Sequence, residues 1–268
     1  MRFRNVLIAA QKTPRYCGAL QTAGLGTVDA VGNVSSIEAA LSGLPRVEFA
    51  ERTGWEPSFR NALATPVTPN RLFFPIAPTP RCAVFLPRFE ETARVKVFDP
   101  KQVLRLVQFQ PEAIAGNVHF LASLAELVDR GRLELPSLKR GLIAFTGIGS
   151  GAAEGSLLDE RTRNLLWRVF RVPVFEQYIG FDGRLIAWEC EAHDGLHMVE
   201  ENAVIERDIR AELLLTSLTD RYRPTIRVAT RMTASLEDGA CGCGKAGRRL
   251  VLMRPVSSIE RKRVAMAG

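Results

Sequence analysis

The chain has 268 residues, with 36 Lys+Arg against 29 Asp+Glu, 46% hydrophobic residues and 24% charged ones. These fractions exclude a disordered or collagen-like chain, and the length is ample for a buried core. No apolar run is long enough to span a bilayer, and the one behind Arg2 and Arg4 is too short for a secretory signal, so a cytoplasmic protein is expected.

Residues 1–56 read as an N-terminal helical segment. Phe3–Ala10 has helical spacing, and Thr13-Pro14-Arg15-Tyr16 reads as the turn that ends it. Ser35–Leu41 follows as a short helix with a serine cap before an apolar face, closed at Leu44-Pro45. Residues 57–98 form a proline-rich connector, because seven of the fifteen prolines fall between Pro57 and Pro87. Each proline removes a backbone donor and fixes φ, so no central strand or long helix is expected there.

Residues 99–184 read as an α/β core. Helix Lys101–Phe109, strand Ala113–Gly116, amphipathic helix His119–Arg130, strand Leu142–Thr146, helix Leu157–Phe170 and strand Val172–Tyr178 alternate. From residue 185 to 268 the pattern changes to short strands, Ile186–Glu191, His197–Val204, Glu212–Ser217 and Ile226–Thr230. The predicted class is therefore α/β, a mainly parallel sheet flanked by helices with a small antiparallel β module. A basic tail at Arg248, Arg249, Arg254, Arg261, Lys262 and Arg263 reads as a solvated face. It carries no aromatic platform, so nucleic acid is not an expected partner.

Two constellations carry chemistry. Cys190, His197, Cys241 and Cys243 are thiols and an imidazole, the donors zinc prefers, and four of them would close a tetrahedral site with no open position. Asp194-Gly195 is a turn signal that lets a hairpin bring Cys190 and His197 together, although Cys-x-Cys is a tighter spacing than usual. Buried thiols beside a surface histidine fit the same residues. The second constellation is the loop after Thr146, with Gly147, Gly149 and Gly151 between a strand and a helix. Such loops hold phosphate on backbone N–H groups, but Gly-Lys-Ser/Thr is missing and a flexible connector fits as well. His119 and His193 read as solvated or satisfied histidines, and Glu189, Glu191, Glu200, Glu201 and Glu206 as a solvated strand edge.

The stretch from Tyr178 to Arg248 resembles the phenylacetate–CoA ligase family of adenylate-forming enzymes. Glu189-Cys190 followed by Gly195-Leu196-His197 looks like that family's E-C-x-x-x-x-G-L-H, and Glu212–Leu218 like its G-E-L-V-x-T-x-L strand. Ile226-Arg227 matches the opening of I-R-Y-x-T-G-D, and Cys241–Gly244 matches C-x-C-G. Pro111–Leu121, Thr13–Tyr16 and Ser36–Leu44 extend the likeness upstream. The resemblance implies part of the large domain of these enzymes, with a structural zinc at Cys190, His197, Cys241 and Cys243. In active members ATP, Mg and a carboxylate give an acyl-adenylate, and CoA then displaces AMP. A nucleotide pocket would be lined by Gly147, Gly149, Gly151, Tyr178 and Asp182.

The departures fall on ATP handling. The S-S-G-T-T-G loop has no counterpart in the proline-rich segment, and Y-G-x-T-E appears as Tyr178-Ile-Gly-Phe181-Asp182. Asp182 is the residual catalytic candidate, shortened from glutamate. T-G-D reads Thr230-Arg231-Met232, and methionine cannot accept hydrogen bonds from ribose hydroxyls. A lysine-bearing C-terminal domain is expected to be absent. The expectation is a truncated ligase-like protein without autonomous adenylation that binds a small carboxylate, a CoA-like ligand or a protein partner. An AMP-forming acid–CoA ligase, alone or with a second chain, is the alternative.

Overall fold

Pro14 begins a helix where the sequence suggests a stop. Its missing N–H is one of the donors a helix start leaves unsatisfied anyway, and its φ is already helical. In the computed structural model, which describes residues 2–48, 69–87, 89–147, 157–180, 182–220 and 224–255, α1 spans Arg2–Gln11 and α2 Pro14–Thr22. α3 is Val28–Gly32, and α4 is Ile37–Ser42 with Ser36 Oγ accepting the Ala39 N–H at 3.2 Å, the expected serine cap. β1 (Cys82–Phe85) and β2 (Val95–Val97) precede a 3-10 turn at Pro100–Gln102 and the short α5, Arg105–Phe109. Then come β3 (Ala113–Asn117), α6 (Val118–Asp129), β4 (Gly141–Thr146), α7 (Glu160–Phe170) and β5 (Val174–Ile179). β6 (Leu185–Glu189), β7 (Leu196–Met198), β8 (Ala203–Arg207), β9 (Glu212–Ser217), β10 (Val228–Glu237) and β11 (Arg249–Pro255) complete the chain.

The chain divides into two units, Met1–Thr65 with Glu200–Ala234 and Pro255–Gly268, and Pro66–Val199 with Ser235–Arg254. The second carries strands in the order β2-β1-β3-β4-β5-β6-β7-β11. β2 to β5 run parallel, and β6, β7 and β11 are antiparallel. This is the expected α/β class. Alternation along the parallel strands buries both faces. Ile114, Leu142 and Ala144 face Leu121, Leu124 and Leu166 of α6 and α7. Ala115, Ile143 and Phe145 face Phe74, Leu86 and Phe89 of the proline-rich segment.

β1 corrects the reading of that segment. Its four residues are buried, and it lies between β2 and β3, a central strand. Pro80 and Pro87 bracket β1 and never enter its ladder, so the apolar run between them pairs freely. Pro57 and Pro66 lie outside the described residues. The expected strand His197–Val204 is two strands, β7 and β8. The run Lys101–Phe109 is helical only at its ends.

In the first unit β8, β9 and β10 form antiparallel pairs. Buried polar groups there are matched to backbone or to opposite charge. The Tyr16 hydroxyl accepts the Ile226 N–H at 3.1 Å, and Arg46 pairs with Asp208 and, at 2.6 Å, with Glu212. Glu206 of the expected solvated edge pairs with Arg227 at 3.3 Å. Among the described residues no helix is long and apolar enough to cross a membrane.

Candidate metal centre

In the antiparallel pair β6–β7, Trp188 stands opposite His197. Cys190 is two residues beyond Trp188, so strand alternation puts it on the face of the ring. Between the strands the chain turns at His193 and Gly195, both with positive φ. A Cβ at Gly195 would meet the Leu250 carbonyl at 2.8 Å, so glycine alone lets the turn pass β11. Arg249 of β11 clamps the same turn through the Asp194 carbonyl at 2.7 Å and the Asp194 carboxylate. Arg249 is 6% exposed, which corrects its assignment to a solvated basic face. Arg261, Lys262 and Arg263 of that patch lie outside the described residues.

Cys241 and Cys243 come from the turn before β11. The Cys241 N–H donates to the Lys245 carbonyl and the Gly244 N–H to the Cys241 carbonyl, each at 2.9 Å, with Gly244 at φ +83°. The four donor atoms of Cys190, His197, Cys241 and Cys243 all lie within 4.8 Å of one another. Cys190 Sγ is 3.6 Å from Cys241 Sγ, and Cys243 Sγ is 3.4 Å from His197 Nε2. Metal–ligand bonds of zinc length at tetrahedral angles separate two sulfurs by about 3.8 Å, and a sulfur and a nitrogen by about 3.6 Å. The set is therefore one that could bind a metal ion, and His197 is not the surface histidine of the simpler reading.

The walls are apolar and aromatic. Phe73, Trp188 and Leu185 pack on Cys190 and Cys241, and Trp188 stacks on the His197 ring at 4.9 Å between centroids. Lys245 Nζ sits 4.1 Å from the Trp188 ring centroid, a cation–π contact. Burial, Lys245 and Arg249 hold the His197 pKa below its ordinary value, which favours the neutral imidazole that metals take. Burial raises the Cys190 thiol. Burial also acts upward on Cys241, but the Cys243 backbone N–H and the neighbouring thiols outweigh it and hold that group low.

A buried polar network lies behind Cys190, and the sequence reading missed it. Glu189, read there as a solvated edge, is 5% exposed. It accepts Arg163 Nη2 at 3.0 and 3.1 Å, the Glu176 N–H at 2.8 Å and His193 Nδ1 at 2.9 Å. Desolvation raises Glu189, but hydrogen bonds from His193 and Arg163 outweigh it and leave the carboxyl low. Its neighbour Glu176 accepts the Thr146 hydroxyl at 2.8 Å, yet desolvation pushes its pKa up to about 7. A lone arginine at Arg163 between two polar helix positions gives no sequence signal for a partner 26 residues away.

On the proposed nucleotide side, β4 and β5 bring Gly147 against Tyr178, since Thr146 and Tyr178 are register partners. A Cβ at Gly147 would meet the Tyr178 ring at 2.8 Å. Tyr178 is 1% exposed. Asp182 Oδ1 accepts the Arg184 N–H at 3.1 Å and so shapes its own turn. Gly149, Gly151 and Phe181 lie outside the described residues. His119 is exposed on α6.

No family model and no curated protein matches this chain. Solved structures do. A 2-hydroxyisobutyryl-CoA ligase with 2-HIB-AMP and CoA in the thioesterification state matches with a TM-score of 0.67 at 14% identity, over 96% of this chain and 67% of its own. An open conformation of a 2-hydroxyisobutyryl-CoA ligase with the same ligands gives 0.62 at 14% identity, over 93% of this chain and 66% of its own. This chain thus spans about two thirds of such a ligase, and what it shares is part of the adenylate-forming fold.

Proposed function

We propose that this protein is an adenylate-forming scaffold without autonomous adenylation, which binds a small carboxylate, a CoA-like group or a protein partner. Cys190, His197, Cys241 and Cys243 would hold a structural zinc. With four protein donors the ion has no open position, so it supplies a cross-link and no Lewis-acid chemistry.

The observation that carries the reading is Met232. It stands where the resembled T-G-D motif has the ribose-binding carboxylate, and its side chain is 0% exposed. The preceding Arg231 adopts φ +60°, a conformation natural to the glycine of that motif, which supports the alignment. At the aligned position a buried thioether stands in place of the acceptor. Carboxylate-dependent ATP–pyrophosphate exchange with magnesium and a panel of aryl acids tests this. Folded, zinc-loaded protein should give no exchange above background, and exchange above it would overturn the reading.

The alternative is an AMP-forming acid–CoA ligase, acting alone or with a second chain. It is favoured by the likeness to structures that hold an acyl-adenylate and CoA. Asp182 would then stand at the magnesium side, and Gly147, Gly149 and Gly151 with Tyr178 would line the nucleotide.

A further inference from the structure

Three of the four metal donors are enclosed and one is not. Cys190 is 0% exposed, and His197 and Cys241 are 5% exposed. Cys243 is only partly buried, in a turn whose neighbours Gly242 and Gly244 to Arg248 are exposed. Gly242 and Gly244 on either side carry no side chain to cover it. Lys245, two residues on, is fixed at the rim over Trp188 at 4.1 Å and Phe73 at 6.0 Å. Cys243 is thus the donor of the four that a reagent reaches most directly from outside, with the Lys245 cation two residues on.

We propose that Cys243 is a modification site, the thiolate at which small anionic disulfides open the metal centre. The inference rests on the zinc reading above. The Cys243 sulfur attacks one sulfur of the reagent, a new S–S bond forms, and the reagent's S–S bond breaks. The leaving thiolate departs with the electron pair, so Cys243 is oxidised and the leaving sulfur reduced, with no other redox partner. The zinc then keeps three donors and passes to a competing chelator. Lys245 attracts an anionic reagent and gives a neutral one no advantage.

The test uses the full chain with Cys17→Ser, because Cys17 is the other partly exposed thiol. Zinc is counted first by atomic emission. The protein is then treated with less than one equivalent of 5,5′-dithiobis(2-nitrobenzoate), adducts are mapped by mass spectrometry at early times, and released zinc is followed with a chromogenic chelator. Cys243 should carry the adduct about tenfold ahead of Cys190 and Cys241, and zinc should leave at the rate of labelling. Lys245→Gln should slow this reagent several-fold and leave the rate with neutral 4,4′-dithiodipyridine unchanged. Zinc-loaded protein labelled first at Cys190 or Cys241 overturns the inference alone, and equal slowing with both reagents overturns the part given to Lys245. Folded protein without zinc overturns the metal reading and the inference with it.

Discussion

Glu176 carries a testable consequence of burial. Its folded pKa of about 7 lies above that of an exposed glutamate, about 4.3. Between the two values the folded chain holds a proton that the unfolded chain has lost, so this group's contribution to stability falls as pH rises through that window and is constant above it. Glu176→Gln removes the ionisation and leaves an oxygen for the Thr146 hydroxyl. The variant should exceed the parent by on the order of 2 kcal/mol at pH 8 and nearly equal it at pH 4.5, read from urea unfolding at both values. Glu189, held low, works the other way, adding stability that is lost as pH falls. A parent and variant that differ equally at both pH values would show that Glu176 titrates alike in the folded and unfolded chain.

Elements were legible where the chain announces them locally. α6 and β4 follow from apolar period, and α4 from its serine, because caps and periodicity act within a few residues. The rest depends on distant partners. Pro14 could end one helix or start another, and only the packing of Tyr16 and Leu20, both buried in α2, decides for a start. β1 is hidden in the sequence by Pro80 and Pro87, which flank it and stand outside its ladder. The cluster of four that could hold a metal ion was readable from residue type, since thiols and an imidazole around a turn are few. Trp188, Lys245 and Arg249, which wall and clamp them, look like ordinary strand and tail residues. For α7 the cap is local and its cost can be stated. Asp159 Oδ1 accepts the Thr162 N–H at 2.6 Å, and Asp159→Ala should lower the unfolding free energy by about 1 kcal/mol in chemical denaturation. An unchanged midpoint would mean that packing alone fixes the helix start.

At the scale of the molecule, an ion held by Cys190, His197, Cys241 and Cys243 would join β6, β7 and the turn before β11, behind the same aromatic wall, into the antiparallel half of one unit. Removing such an ion would therefore do more than expose a few thiols. Protein purified without chelator should carry one zinc per chain, and stripping it should lower the thermal midpoint by several degrees and raise hydrogen exchange first in residues 185–199 and 239–250. A stoichiometry near zero in folded protein would sink the metal centre. So would an unchanged exchange pattern after removal.

Cys190 and Cys241 are 51 residues apart in sequence, and the whole excursion Glu200–Ala234 into the other unit lies between them. A cross-link of that span, treated like a disulfide, would strip about 4 kcal/mol of freedom from the unfolded ensemble. During synthesis the first pair of donors must wait for the second until Cys243 has left the ribosome. Until then the sheet ends at β7, an edge with unpaired backbone groups. The arrival of the last two cysteines thus both ties the loop and caps that edge, so metal supply should govern the yield of soluble chain more strongly than the final stability alone would suggest.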